Sequence, residues 1–518
     1  MFKKTKLINY SILITDDKIF FNPIESKEKE VPGFSFYSYE NENYKVFLQA
    51  ENIKESVLFD LKLIFKDDFL NNVKYIYNCL NEIFQLYIWN KKESIFYTIT
   101  DYLGVGTNYV YLDNKKTVFF SNFLNIKDLG IQLKISAENL YNYLSIGYQV
   151  SPFKLPYTHI DTHKGATLYS YKNKEVSAEL IKPEISLIKN INTILIDSIE
   201  NNNIEKVFFG ATAGKDSLAL VSLIKNKKNK LLGSFGDKRS ADVIQGEKIA
   251  NHIDIDHIYQ DYASASEFRK FSSEIALISG GLTTTSYVDM LCFVNKSIPH
   301  DYTYIMGEGG ECVRDFFRES KKIEDSLENY ITPIEFLNKT LVKNNFHQLF
   351  KNTLIRDINK KYKKEPLLKF YRHERMPGNF SNRHKILSIY RPKYSPFLNY
   401  NFIRNTYNLD EEKYKNSKLH REIIFNEASF FIEWFDNPIK TDITSQNYEE
   451  RFLEYIGEIL LNIFNNMSVK SQLYFSKKGL IDLLQGQFKK VDRGAYYLLR
   501  VASFIIFIDL NQGLFVTE

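Results

Sequence analysis

The chain is poor in the features that mark several large protein classes. Its three cysteines, Cys79, Cys292 and Cys312, lie too far apart among 518 residues to build a disulfide framework or a zinc knuckle. With only 22 glycines and 12 prolines, and neither an internal repeat nor a low-complexity linker, it gives no sign of a linker-rich or repeat architecture. Lys and Arg number 68 against 63 Asp and Glu, and the resulting net charge of +5 is no nucleic-acid footprint. No apolar run is long enough to span a membrane. The opening MFKKTKLINYSILITDD is too polar for a signal peptide, and LLRVASFIIFIDL carries Arg500 and Asp509. These absences predict a protein of a reducing cytoplasm that binds no nucleic acid. The nine histidines form no HExxH, and His159, His163, His252 and His257 read as structural.

What the chain does have is aromatic side chains: 41 Phe and 35 Tyr beside 2 Trp. They run along the whole length rather than clustering, which makes them core filler rather than a stacking surface. An apolar fraction of 44% and a charged fraction of 25% are those of an ordinary globular protein. The length exceeds what one core usually spans, so at least two domains are expected. Residues 1–185 read as a strand-rich domain, with NYKVFLQA, ESIFYTIT, NYVYLD and TVFFSN as strands. The stretch LFDLKLIFKDDFLNNVKYIYNCLNEIFQLYIW is ambiguous between helix and strand, and PEISLIKNINTILIDSIENN has helical spacing. Residues 186–518 form a second unit, opening with alternating strands (KVFF, KLLGSF, HIYQ, YTYIM) and helices (SLALVSLIKN, SADVIQGEKIANHI, TSYVDMLCFVNK). That alternation predicts a parallel, doubly wound sheet. Beyond about residue 320 the chain reads as mostly helical, with long segments at 330–365 and 448–465. Its lysine runs (Lys225, Lys227, Lys228 and Lys230; Lys360, Lys361, Lys363 and Lys364) read as solvated loops.

The strongest chemical signal is VFFGATAGKDS at 207–217, between a strand and a helix. Small residues there leave backbone N–H groups free to hold an anion at the helix N-terminus. It is not a Walker A loop, because Gly210 and Gly214 enclose three residues and Asp216 stands where a hydroxyl belongs. A carboxylate facing phosphates is repelled unless a cation lies between them, so Asp216 implies Mg2+ bridging to phosphate. The second signal is YTYIMGEGGE at 302–311, after another strand. In open parallel sheets the ligand crevice lies outside the strands' carboxyl ends, where Glu308 and Glu311 would face the same ligand as Asp216.

Together these segments resemble the asparagine synthetase class B family, whose synthetase domain carries SGGxDS and GEGxDE. TAGKDS at 212–217 falls on the first motif and GEGGEC at 307–312 on the second. DYLGVGTNYVY at 101–111 with FFSN at 119–122 resembles the family's N-terminal segment, and LYNYLSIGYQVSPFKLPYTHIDTHKGATL the join between its domains. SFG at 234–236 beside SAD at 240–242 is similar to the adenine-flanking strand, and SPFLN at 395–399 to VPFLD. The resemblance implies an N-terminal amidotransferase-like α+β domain of the Ntn type, followed by a pyrophosphatase-type α/β synthetase domain with a helical C-terminal part.

The departures carry as much information. The family's nucleophilic cysteine follows the initiator Met, and here residue 2 is Phe, so glutamine hydrolysis is not expected. Ala213 replaces a glycine, a methyl tolerable only at negative φ. Glu311 replaces an aspartate and Cys312 a glutamate. Members without the cysteine, such as β-lactam synthetases and lasso-peptide macrolactam cyclases, keep the ATP chemistry and use an amine already on the substrate. By this resemblance Thr212, Ala213, Gly214, Lys215, Asp216, Ser217 and Gly307 would hold ATP phosphates, and Ser234 and Gly236 the adenine. Asp216 and Glu311 would hold Mg2+, Glu308 would act as base or orient the amine, and Lys440, in FDNPIKT at 435–441, would stabilise developing charge; Lys415 and Lys418 are weaker candidates for that last role. The expected activity is ATP-dependent amide-bond formation on a peptide or small-molecule carboxylate, with ring closure of a precursor peptide, delivered with its processing protease, as the specific form. Amidation of a small acid by ammonia or another amine, a tRNA-modifying enzyme and a non-catalytic scaffold are the rivals; GEGGE, the N-terminal segment and the small net charge argue against the tRNA enzyme.

Overall fold

The computed structural model describes residues 3–14, 19–25, 34–50, 53–66, 69–172, 175–181, 190–200, 204–314, 316, 323, 327, 331, 346–363, 365–407, 411–443, 451–487 and 494–516. Phe2 and parts of the segments 330–365 and 448–465 lie outside them.

The N-terminal part is an antiparallel sheet. Its strands are β1 (Lys3–Ile14), β2 (Ile19–Glu25), β3 (Phe34–Glu40), β4 (Tyr44–Ala50), β5 (Phe84–Asn90), β6 (Ile95–Thr100), β7 (Tyr109–Leu112), β8 (Thr117–Phe120), β9 (Ile160–Thr162), β10 (Thr167–Lys172) and β11 (Glu175–Leu180). They are ordered β11-β10-β6-β5-β4-β3-β1-β8-β7-β9, with β2 on β1. Side chains alternate across the pleat, so Val46, Leu48, Leu86, Ile88 and Ile99 pack on one face while Phe47, Tyr87 and Phe96 pack on the other. The second face is filled by Tyr10, Phe36, Phe119 and Tyr171 around a buried amide, Asn108, whose Nδ2 donates to Gln49 and Tyr87 at 2.9 Å each. Aromatics are core filler here, as their spread along the chain implies. The stretch ambiguous in sequence forms helices Glu55–Ile64 and Phe69–Cys79, followed by β5.

The second part holds a five-stranded parallel sheet: β12 (Val207–Gly210), β13 (Lys230–Phe235), β14 (His257–Gln260), β15 (Thr303–Ile305) and β16 (Lys393–Tyr394), ordered β14-β13-β12-β15-β16. Phe208 packs from one face against Phe293 and Tyr304, while Val207 and Phe209 belong to the core of the other face with Leu218, Ile423 and Ile424. The sheet is therefore covered on both sides, in keeping with the apolar runs VFF and YI at its centre. Helix Ala265–Ser279, closed at its start by a Ser264–Glu267 capping box, and the two-residue strand β16 were not anticipated from the sequence. Helix Gly494–Leu510 covers LLRVASFIIFIDL, and among the described residues no helix is long and apolar enough to cross a membrane.

The two parts share a core. Phe504 and Phe507 of helix Gly494–Leu510 contact Tyr143, Tyr157 and Phe123 of the N-terminal part. Leu133 N–H donates to Leu514 at 2.8 Å, and Val516 N–H donates back to Leu133 at 3.1 Å. The three cysteines are free thiols.

Candidate functional site

The strand order reverses between β12 and β15: β13 and β14 continue to one side, β16 to the other. A crevice opens at such a switch point, beyond the strands' carboxyl ends. The two loops singled out in the sequence leave β12 and β15 there, and they touch. A Cβ added at Gly307 would lie 3.1 Å from Asp216 Cβ, and one at Gly310 would lie 2.3 Å from Asp216 Oδ1. Only glycine lets the second loop close this far onto the first.

The phosphate loop is held by its own side chains. Thr212 Oγ1 accepts from Gly214 N–H at 3.0 Å and meets Ser217 Oγ at 2.7 Å, while Ser217 Oγ also donates to Gly214 O at 2.9 Å. Ala213 N–H donates to Asp242 Oδ1 at 3.0 Å. Ala213 is not among the residues of positive φ, so its methyl brings no backbone strain. Helix Lys215–Ser222 begins next, with Asp216 in its first turn. Lys215 Nζ lies 4.9 Å from the centre of the Phe435 ring and donates to Ser417 Oγ at 3.4 Å.

Asp216 is the most heavily engaged of the expected residues. Arg314 donates to it in the parallel two-pronged geometry suited to a guanidinium and a carboxylate, Nε to Oδ1 at 3.1 Å and Nη2 to Oδ2 at 3.0 Å. His420, wholly buried on helix Lys418–Ala428, places Nε2 2.8 Å from Oδ1. Burial alone would raise the Asp216 carboxyl, but His420 and Arg314 outweigh it and hold it below the usual carboxylate range. Glu311 lies 3.7 Å from Arg314 Nη2; burial first, and then the charge of Asp216, push its carboxyl up to about 7. Burial pushes the neighbouring Cys312 thiol up, and its carbonyl accepts from Arg372 Nε at 2.6 Å.

The residues present do not fit a divalent ion shared by Asp216 and Glu311. Both Asp216 oxygens are already taken, and an ion within bonding range of either would sit against the Arg314 guanidinium. One Glu311 oxygen, Oε2, is buried without a hydrogen-bond partner. Among the described residues no group of three or more His, Cys, Asp or Glu side chains could hold a metal ion.

The remaining expected residues fall around the crevice. Glu308 is buried in an ion pair with Arg383, with Lys393 Nζ at 4.0 Å. A carboxylate held between two cations is fixed in place and suited to orient a substrate group. Ser234 is buried, with Oγ 2.9 Å from His257 Nε2; Gly236, at φ +113°, donates to Gln260 O and accepts from the Tyr259 hydroxyl. Lys440 is exposed, and the Ile439 N–H beside it donates to Gln245 on helix Ala241–Ile253 at 3.0 Å. No family model matches the chain, and no curated protein matches it. Among solved structures the chain is similar to the glutamine phosphoribosylpyrophosphate amidotransferase from B. subtilis, complexed with ADP and GMP, at 9% identity and a TM-score of 0.21. That match covers 49% of this chain and 60% of the other, less than two thirds of its length.

Arg314, His420, Arg383 and Lys393 were not singled out from the sequence. Arg314 alone had a local signal, standing three residues after Glu311. A cavity of about 610 Å³, lined by His163, Lys164, Tyr169, Lys361 and Glu374, contains none of the sequence-predicted residues. Of the histidines read as structural, His163 is buried against Tyr169 and Tyr171, and burial lowers its imidazole to about 3.

Proposed function

We propose that the chain is an ATP-dependent amide ligase that activates a carboxylate as its adenylate and joins it to an amine. The observation that carries this reading is the meeting of the two loops at the switch point, with Gly307 and Gly310 closed onto Asp216. A substrate carboxylate oxygen would attack the α-phosphorus of ATP, breaking its bond to the bridging oxygen and releasing pyrophosphate. The amine would then attack the acyl carbon, AMP would leave, and the amine proton would pass to solvent. The first-turn N–H groups of helix Lys215–Ser222 suit the pyrophosphate end, and the Thr212 and Ser217 hydroxyls fix the loop. Glu308, oriented by Arg383 and Lys393, suits the amine, and Lys440 suits the charge developing at the acyl centre. Closure of a peptide ring, with the amine supplied by the substrate itself, is the form we favour.

A second reading, a nucleotide- or peptide-binding scaffold without catalysis, is favoured by one observation: Asp242 occupies the Ala213 N–H that a phosphate would use. The two are separated by ATP–pyrophosphate exchange with candidate peptides and small carboxylic acids, followed by mass spectrometry of the products. Exchange, AMP and a product lighter by one water support the ligase. ATP binding without exchange for any carboxylate supports the scaffold.

A further inference from the structure

We propose that this crevice takes the phosphates of its nucleotide without a divalent cation, with the Arg314 guanidinium standing where the ion would. The inference rests on the reading of the crevice as a nucleotide site and concerns how that site manages charge.

The problem it answers is electrostatic. Asp216 and Glu311 both face the start of the phosphate helix, and a polyphosphate brought beside two carboxylates is repelled unless a positive charge intervenes. Arg314 already supplies that charge at the right atoms. Its Nε and Nη2 each donate to one Asp216 oxygen, and Nη2 also lies within ion-pair range of Glu311, so one guanidinium bridges both carboxylates. His420 closes Asp216 Oδ1 from the opposite helix. The pair is not a surface accident: the Arg314 and Asp216 side chains are 23% and 14% exposed. Guanidinium N–H groups aimed at an open crevice bind phosphate oxygens well, in the same planar fashion as carboxylates.

A magnesium ion would have to displace this arrangement. To coordinate Asp216 it would compete with two charge-assisted hydrogen bonds and set a doubly charged ion beside a mostly buried guanidinium. With Asp216 given over to the ion, Arg314 would keep only Glu311, 3.7 Å from Nη2, as an acidic partner. Retaining Arg314 and omitting the ion keeps Asp216 paired and leaves the guanidinium with its partner.

The test is calorimetric titration of the full-length protein with ATP, once in MgCl2 and once in EDTA. The expected result is affinities that agree within about threefold in the two buffers. Arg314→Leu should weaken ATP binding in EDTA by about tenfold or more, the cost of one charge-assisted contact, while Arg314→Lys keeps most of it. If Arg314→Leu does not fold, the wild-type buffer ratio and Arg314→Lys decide. Wild-type binding that falls tenfold or more in EDTA overturns the inference and leaves the nucleotide site standing. Arg314→Leu binding ATP in EDTA as tightly as wild type overturns it too. Absence of ATP binding in both buffers overturns this inference together with the ligase reading.

Discussion

Arg314 and Asp216 face each other across two loops from adjacent strands, joined by two hydrogen bonds of 3.0 and 3.1 Å. Each is therefore expected to depend on the other for stability as well as for any ligand. Asp216→Asn should lower the unfolding free energy by about 1.5–3 kcal/mol at pH 7, the worth of a hydrogen bond to a charged group. The double variant with Arg314→Leu should cost less than the two single changes added together. The sign with pH follows from the depressed Asp216 carboxyl. Its stabilisation is full above the unfolded value of about 3.9 and is lost as pH falls through the folded value, so urea unfolding at pH 7 and near pH 3 should show the Asp216→Asn deficit shrinking.

Gly310→Ala puts a methyl 2.3 Å from Asp216 Oδ1 and 2.6 Å from its Cγ. The loop must back away, separating Glu311 and Arg314 from Asp216. ATP binding should fall by about tenfold or more, as for loss of a charged contact. Gly513→Ala is the control: nothing lies within 4 Å of the added Cβ, and its melting transition should shift by less than about 0.5 kcal/mol equivalent.

Lys385 is buried with its Nζ near the centre of the Tyr109 ring face, at 4.0 Å, and without a hydrogen-bond partner. Burial lowers its ammonium to about 7. The unfolded chain binds this proton up to about pH 10.4, so between pH 7 and pH 10 the unfolded state holds more protons and stability rises with pH. Lys385→Met removes that dependence. The variant should be more stable than wild type at pH 7, with the advantage shrinking as pH approaches 10, as read from denaturation midpoints at the two values.

Asp289 and Arg451 form an ion pair in which both side chains are at most 2% exposed, and Asp289 also accepts from Ala263 N–H at 3.0 Å. Asp289→Ala should cost about 3–5 kcal/mol, because it leaves a buried guanidinium uncompensated. Asp289→Leu combined with Arg451→Met should cost less than Asp289→Ala alone, measured by urea unfolding.

The strand–loop–helix units were legible because buried parallel strands are short apolar runs, and the loops between them carry Gly, Asp and Ser at fixed places. That put Asp216 and the glycines of 307–310 at matching strand ends of one sheet, facing one crevice, from the sequence alone. The partners of those residues were not legible. His420 and Arg383 arrive from helices far along the chain, and nothing local distinguishes a lone histidine that caps a carboxylate from one that fills a core. Helix Ala265–Ser279 carries a readable start in Ser264 and Glu267, but its apolar residues Phe268, Phe271, Ile275 and Ile278 are interleaved with Arg, Lys, Ser and Glu, which blurs the helical period. Strand β16 spans two residues, too few to show alternation. The expectation of magnesium at Asp216 and Glu311 rested on carboxylates beside a phosphate loop and on the family resemblance; the Arg314 guanidinium between them could be seen only in three dimensions.

The seating of Phe504 and Phe507 among Tyr143, Tyr157 and Phe123 has a consequence for biogenesis. The N-terminal part leaves the ribosome early, yet part of its apolar surface is covered by a helix translated much later. Until that helix docks, those aromatics stay open to water and to other chains. The nascent protein therefore cannot finish its first half and move on to the second. Its synthesis should be sensitive to chaperone supply, and its two halves made as separate polypeptides should each be poorly soluble alone and recover when produced together.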